Sequence, residues 1–141
     1  MNVKVEVQVI AMTPQSELTA RRPVVIVVDD DIAVCNSLKF SLEIEGFAVR
    51  AYRAAAELLH ADDLDVCDCF VIDQKMPDLT GIQLIEYLRI RQISAPAILI
   101  VGRPTTALSA QAAKDGIPIV EKPLLGNMLL TKIRVACEMR R

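Results

Sequence analysis

Val24–Asp31 reads VVIVVDDD, five β-branched residues followed at once by three carboxylates. A short, continuous β-branched run is the mark of a strand buried on both faces, the usual state in a parallel sheet. The pattern recurs downstream. Phe70–Ile72 is a second buried strand that runs straight into Asp73, and Ala97–Val101 (AILIV) is a third. Helical periods separate them. Asp31–Glu45 carries Val34, Leu38 and Leu42 on one face, with Gly46 placed to end it. Ala54–His60 is a short helix, and acidic residues at Asp62, Asp63 and Asp65 mark the loop after it. Ile82–Arg91 is helical through its Ile82/Ile85 and Leu84/Leu88 pairs. Thr105–Lys114 is Ala-rich and buries little, and Leu125, Leu129, Ile133 and Ala136 stripe a closing helix. Phe47–Tyr52 alternates as a half-exposed strand, and Ile117–Val120 is a short strand whose Pro118 suits an edge position.

Five strands and five helices in strict alternation predict an α/β fold with a parallel sheet and right-handed crossovers. The second and fifth strands read as edges around three buried ones. Periodicity leaves the strand order open.

The chain's 141 residues make one domain's worth of protein, and 52% hydrophobic residues exclude a disordered chain. Sixteen Lys and Arg against eighteen Asp and Glu leave a net charge of −2, so no basic face favours nucleic acid. Aromatics at 4%, with no Trp, argue against a base-stacking platform. Cys35, Cys67, Cys69 and Cys137 have no zinc-like spacing and read as free thiols, and His60 is the lone histidine. No apolar run approaches the roughly 18 residues that span a bilayer. Lys4, Glu6 and Gln8 break up what would otherwise resemble a signal peptide, so the cytoplasm is the expected compartment.

Residues 1–22 read as an extension to a domain at 23–141. Val3, Val5, Val7 and Val9 alternate with polar residues at strand period, and Thr13–Pro23 is a polar connector. Two readings stand side by side. One is an added strand that extends the sheet or pairs with a second copy as a homodimer; the other is a start upstream of a natural one at Met12.

In an open parallel sheet, ligands bind beyond the carboxyl ends of the strands. The residues there are Asp29, Asp30 and Asp31 after the first strand, Asp73 after the third, Gly102 after the fourth and Lys122 after the fifth. Carboxylates converging on one mouth repel unless a cation compensates them. Hard oxygen donors suit Mg²⁺, and a nearby lysine points to an anion, above all a phosphoryl group. The plainer alternative is a set of separate, solvated loop-tip acids. One such acid would mean little, but four acids and a lysine at strand ends form a pattern.

Three motifs, VVDDD (Val27–Asp31), DQKMPDLTG (Asp73–Gly81) and EKP (Glu121–Pro123), resemble the receiver domain of bacterial two-component response regulators. The resemblance runs from about Pro23 to the C-terminus and is strongest to the nodulation and nitrogen-fixation type. It implies a flavodoxin-like, doubly wound five-stranded parallel sheet of order 2-1-3-4-5 in three α/β/α layers. It implies that Asp73 is the phosphoacceptor and not the nucleophile of a turnover enzyme. Asp30, Asp73 and the Lys75 backbone carbonyl would ligate Mg²⁺, with Asp29 acting mainly through bound water. Lys122 would pair with the phosphoryl oxygens, with a cis Lys122–Pro123 bond, and Met76, Pro77 and Gly81 would shape the loop. The implied partners are a sensor histidine kinase or histidine phosphotransfer protein and a downstream protein target, with no direct nucleic-acid or membrane contact. Because receiver and extension account for the whole chain, signalling by surface contact is expected.

The sequence departs from the family at two positions. Val101 stands where the family has a Thr or Ser that bonds the phosphoryl group, and Ile119 stands where it has a switching aromatic. Losing one hydrogen bond to a charged group costs about 1.5–3 kcal/mol, or roughly one to two powers of ten. Thr105 and Thr106 fall one helical turn too late to substitute. Lys75 and Arg103 occupy positions that tune hydrolysis of the acyl phosphate; if they shield it, autodephosphorylation is slow, and if they point to solvent they do not matter. Three readings follow: a phosphoacceptor receiver, a phosphorylation-independent pseudo-receiver that binds proteins, and an aspartyl phosphatase. The last is disfavoured because Lys75 stands where that class carries a second acid.

Overall fold

Strand β1 (Val24–Val28) pairs in parallel with β2 (Ala48–Tyr52) on one side and β3 (Cys69–Asp73) on the other. Strand β4 (Ala97–Val101) follows β3, and β5 (Ile119–Glu121) closes the far edge, giving the order β2-β1-β3-β4-β5. The computed structural model describes residues 21–140. The valine-alternating segment Val3–Val9, and with it the added strand and the homodimer read from it, lies outside the described residues.

Every residue of β3 and β4 is buried, as is all of β1 after Val24. Successive side chains point to opposite faces, so one strand feeds two cores. Val25, Val27, Val71, Ile98 and Ile100 pack under α1 (Ile32–Ile44) and α5 (Met128–Arg140). Ile26, Val28, Phe70, Ile72 and Leu99 pack under α2 (Ala55–Leu59), α3 (Gly81–Ile90) and α4 (Thr106–Lys114). The result is the expected doubly wound, three-layer arrangement, with β2 and β5 as edges. Ala112 is the one buried residue of α4, in line with its alanine-rich composition.

Most elements start or end within a residue or so of the sequence reading, and three boundaries differ for a specific local reason. Asp31 is the N-cap of α1: its carboxylate accepts from the Ala33 and Val34 N–H groups at 2.9 and 3.4 Å. β5 starts at Ile119 rather than Ile117 because Pro118 has no N–H for the ladder, although its carbonyl accepts from Leu99. α5 starts at Met128, past Gly126, whose φ of +70° lies outside helical space. Leu125 is therefore 76% exposed and no part of the helical stripe, which continues through Leu129, Ile133, Ala136 and Cys137. Gly46 ends α1 as expected, at φ +99°. All four cysteines are buried and lie outside any disulfide. Among the described residues no helix is long and apolar enough to cross a membrane.

Candidate functional site

The strand order puts β1 beside β3, so the residues leaving their carboxyl ends meet. Asp29 follows Val28 directly and Asp73 is the last residue of β3; both are buried, at 1% and 4% exposure, while Asp30 is exposed. One carboxylate oxygen from each of Asp29, Asp30 and Asp73 lies within 4.8 Å of the others. Asp31 does not join them, because capping α1 turns its carboxylate away.

Lys122 comes from the opposite edge. Its backbone N–H donates to the Val101 carbonyl at 2.9 Å, and its bond to Pro123 is cis. Its ammonium stands 3.3 Å from Asp73 Oδ1 and 3.8 Å from Asp29 Oδ2. One ammonium against three carboxylates leaves two charges uncompensated. Burial, opposed by the Asp31 N–H and reinforced by Asp73, lifts the Asp29 carboxyl above the ordinary range. Burial also lifts Asp73, against the pull of Lys122. Burial lowers the Lys122 ammonium, but Asp73 and Asp29 outweigh it and leave the group above its ordinary value.

Asp29 is half satisfied. Its Oδ1 accepts from the Asp31 N–H at 2.9 Å, whereas its buried Oδ2 accepts no hydrogen bond. A buried carboxylate oxygen left in this state is costly, and its natural complement is a cation. Three hard oxygen donors with two charges in excess fit a small divalent ion such as Mg²⁺, which tolerates few protein ligands and retains waters.

The surrounding loops hold this geometry. Gly81 admits no side chain: a Cβ there would lie 2.6 Å from Leu99 Cδ1 and 2.7 Å from the Asp73 carbonyl oxygen. Its presence lets α3 begin hard against the end of β3. Gln74, to which the sequence assigned no role, closes the same junction. Its backbone N–H donates to the Ile100 carbonyl, its carbonyl accepts from Gly81, and its Oε1 accepts from the Ile82 N–H at 3.0 Å. Cys35 was also missed; its thiol donates to the Asp29 carbonyl at 3.2 Å. No local sequence signal marks either contact, since each depends on where the next strand or helix lies.

Residues 25–134 match the response regulator receiver domain family. The chain belongs to that family. Receiver domains are modules of two-component signalling, and the sheet order and helix placement here are theirs. The transcriptional regulatory protein FixJ of Rhizobium meliloti (strain 1021) is 34% identical over 114 residues, which is 79% of this chain and 55% of that protein. This chain thus spans about half the length of that relative. The crystal structure of FixJ-N is 33% identical at a TM-score of 0.73, covering 84% of this chain and 95% of that one. A CheY-like receiver domain protein from Methanospirillum hungatei JF-1 is 26% identical at a TM-score of 0.76, covering 85% of this chain and 97% of that one.

The β4–β5 edge is apolar at the two positions that the sequence reading singled out. Val101, the last residue of β4, is buried in the same apolar cluster against which half-buried Ile119 packs. Thr105 is the N-cap of α4, where its Oγ1 accepts from the Leu108 N–H. The Lys75 and Arg103 side chains are exposed and make no hydrogen bond or ion pair among the described residues, though the Lys75 backbone helps hold the Asp73 carboxyl down against its burial.

Proposed function

We propose that this receiver domain accepts a phosphoryl group on Asp73 from a histidine kinase or histidine phosphotransfer protein and signals by contact with a downstream protein. The observation that carries the reading is the meeting of the Asp29, Asp30 and Asp73 carboxylates beside Lys122, with an Asp29 oxygen left unsatisfied. Asp73 is the acceptor because it alone combines burial at a strand end with a 3.3 Å contact to the ammonium. Its carboxylate oxygen attacks phosphorus; the new O–P bond forms as the P–N bond of the phosphohistidine breaks, and the electron pair leaves with the imidazole. Lys122 holds charge against the phosphoryl oxygens throughout.

Asp30, Asp73 and the Lys75 carbonyl would hold Mg²⁺, with Asp29 reaching it mainly through bound water. When bound, the ion supplies neutralisation of the carboxylates and polarisation of the phosphoryl oxygens. Lys75 and Arg103, whose side chains are exposed in the unphosphorylated protein, are the cations that would have to turn in over the acyl phosphate to slow its hydrolysis; a lifetime of seconds would count against that role. Val101 and Ile119 supply neither the hydroxyl nor the aromatic of the usual switch, and the partner must read the phosphorylated mouth more directly.

The test is intact-mass spectrometry after incubation with Mg²⁺ and acetyl phosphate. Wild type gains one phosphoryl group and Asp73→Asn gains none. No gain at millimolar donor, in a protein that binds Mg²⁺, would replace this reading with that of a phosphorylation-independent binding module.

A further inference from the structure

Helix α2 begins without a cap of its own. Its N-cap residue is Ala54, extended and with no side chain able to accept a hydrogen bond. Two carboxylates act here, one on the residue before the cap and one inside the first turn. Glu57 Oε1 reaches back to the Arg53 N–H at 2.7 Å. The other comes from a different loop: Asp78 Oδ2, between β3 and α3, accepts from the Ala56 N–H at 2.9 Å. Asp78 Oδ1 accepts from the Leu79 N–H at 3.0 Å, which fixes its rotamer. The Ala56 N–H is also the chief reason the Asp78 carboxyl sits below the ordinary range.

This bridge joins the two rims of the acidic mouth. On the Asp78 side, the loop is already fastened downstream, where Gln74 accepts from Gly81 and Ile82 and Thr80 forms a capping box with Gln83. Among the described residues, Asp78 supplies its hydrogen bond across to α2. Lys75, two residues past Asp73, lies between these two anchors. On the other side, α2 follows directly from the end of β2, where the Tyr52 carbonyl accepts from the Asp29 N–H at 3.1 Å. A break at Asp78 therefore frees the Lys75 segment from the rim that holds Asp29.

We infer that Asp78 is a positioning residue for the acidic site, capping α2 from the β3–α3 loop and thereby fixing Lys75 against Asp73. The inference rests on the reading of that site as one for Mg²⁺ and phosphoryl. Asp78→Ala removes the acceptor, and Asp78→Asn keeps an oxygen for the Ala56 N–H. Two readouts on the full chain separate the links: amide hydrogen exchange in metal-free protein, and Mg²⁺ affinity by titration. Asp78→Ala is expected to speed exchange of both the Ala56 and Lys75 amides about tenfold and to weaken Mg²⁺ binding about three- to tenfold. Asp78→Asn is expected to return each to within about twofold of wild type.

Faster exchange at Ala56 with Lys75 exchange and Mg²⁺ affinity unchanged would overturn the inference, leaving Asp78 as a cap alone. Unchanged exchange at both amides would overturn it as well. If wild type binds no Mg²⁺, the proposed function fails, while exchange at Lys75 still decides whether Asp78 holds that segment.

Discussion

The mouth between β1 and β3 and the edge formed by β4 and β5 are built from opposite materials. The mouth gathers three carboxylates around one ammonium and leaves a buried oxygen of Asp29 without a hydrogen bond. The edge is apolar: Val101 is buried in an apolar cluster, Ile119 packs against that cluster, and the nearby Thr105 oxygen caps a helix. One region is short of positive charge, and the other is lined by apolar side chains. Under the proposed function, the residues that would receive a phosphoryl group and those that would relay it lie in separate regions, so the electrostatic site does not depend on the packing at the edge.

The largest expected effect breaks the mouth itself. Asp73→Asn removes the proposed nucleophile and should abolish phosphoryl uptake from acetyl phosphate, read by intact mass, while the fold persists. Persistent modification would move the acceptor elsewhere.

The next prediction sharpens the edge. Val101→Thr returns a hydroxyl to the end of β4 and should tighten beryllofluoride binding about tenfold or more in the presence of Mg²⁺. It should also cost about 1 kcal/mol of stability, because the hydroxyl enters an apolar cluster. Tighter binding without new shifts at Ile119 would show that the hydroxyl alone does not rebuild the relay.

A smaller effect tests whether the mouth is short of cations. Asp29→Asn keeps an acceptor for the Asp31 N–H while deleting one charge and the unsatisfied oxygen. The metal-free variant should unfold about 3–5 °C above wild type, or about 1 kcal/mol more stable, yet lose much of its Mg²⁺ affinity. A lower melting temperature would mean that Lys122 already balances the site.

The same imbalance sets a pH dependence. Asp29 and Asp73 are raised above the ordinary carboxylate value of 3.8, so the metal-free folded state binds protons more tightly than the unfolded chain. Their contribution to stability therefore falls as pH rises from that value through their raised folded values. Mg²⁺ should offset the fall, and its stabilising increment should grow across the same window. An increment independent of pH would disconnect the ion from these carboxylates.

Much of this was legible in the sequence because the signals are local. VVIVV and AILIV announce buried parallel strands through composition alone, and the acids and lysine follow their strands immediately. The details that escaped depend on distant neighbours or on one backbone torsion. Asp31 lies in the same acidic run as Asp29 and Asp30, yet α1 takes its carboxylate for a cap. Leu125 continues the spacing of the Leu129 stripe, but Gly126 at φ +70° separates it from the helix. Asp78 reaches a backbone N–H 22 residues away, and nothing in DQKMPDLTG records where α2 will start.

The central claim is that the mouth takes up a phosphoryl group while the β4–β5 edge does not relay it by the usual switch. Amide NMR of the Mg²⁺-bound protein, with and without beryllofluoride, tests both halves in one spectrum. Large shifts are expected at Asp29, Asp73, Lys75 and Lys122, and small ones at Ile119 and along α4. No response at Asp73, or strong shifts spreading through Ile119 into α4, would contradict it.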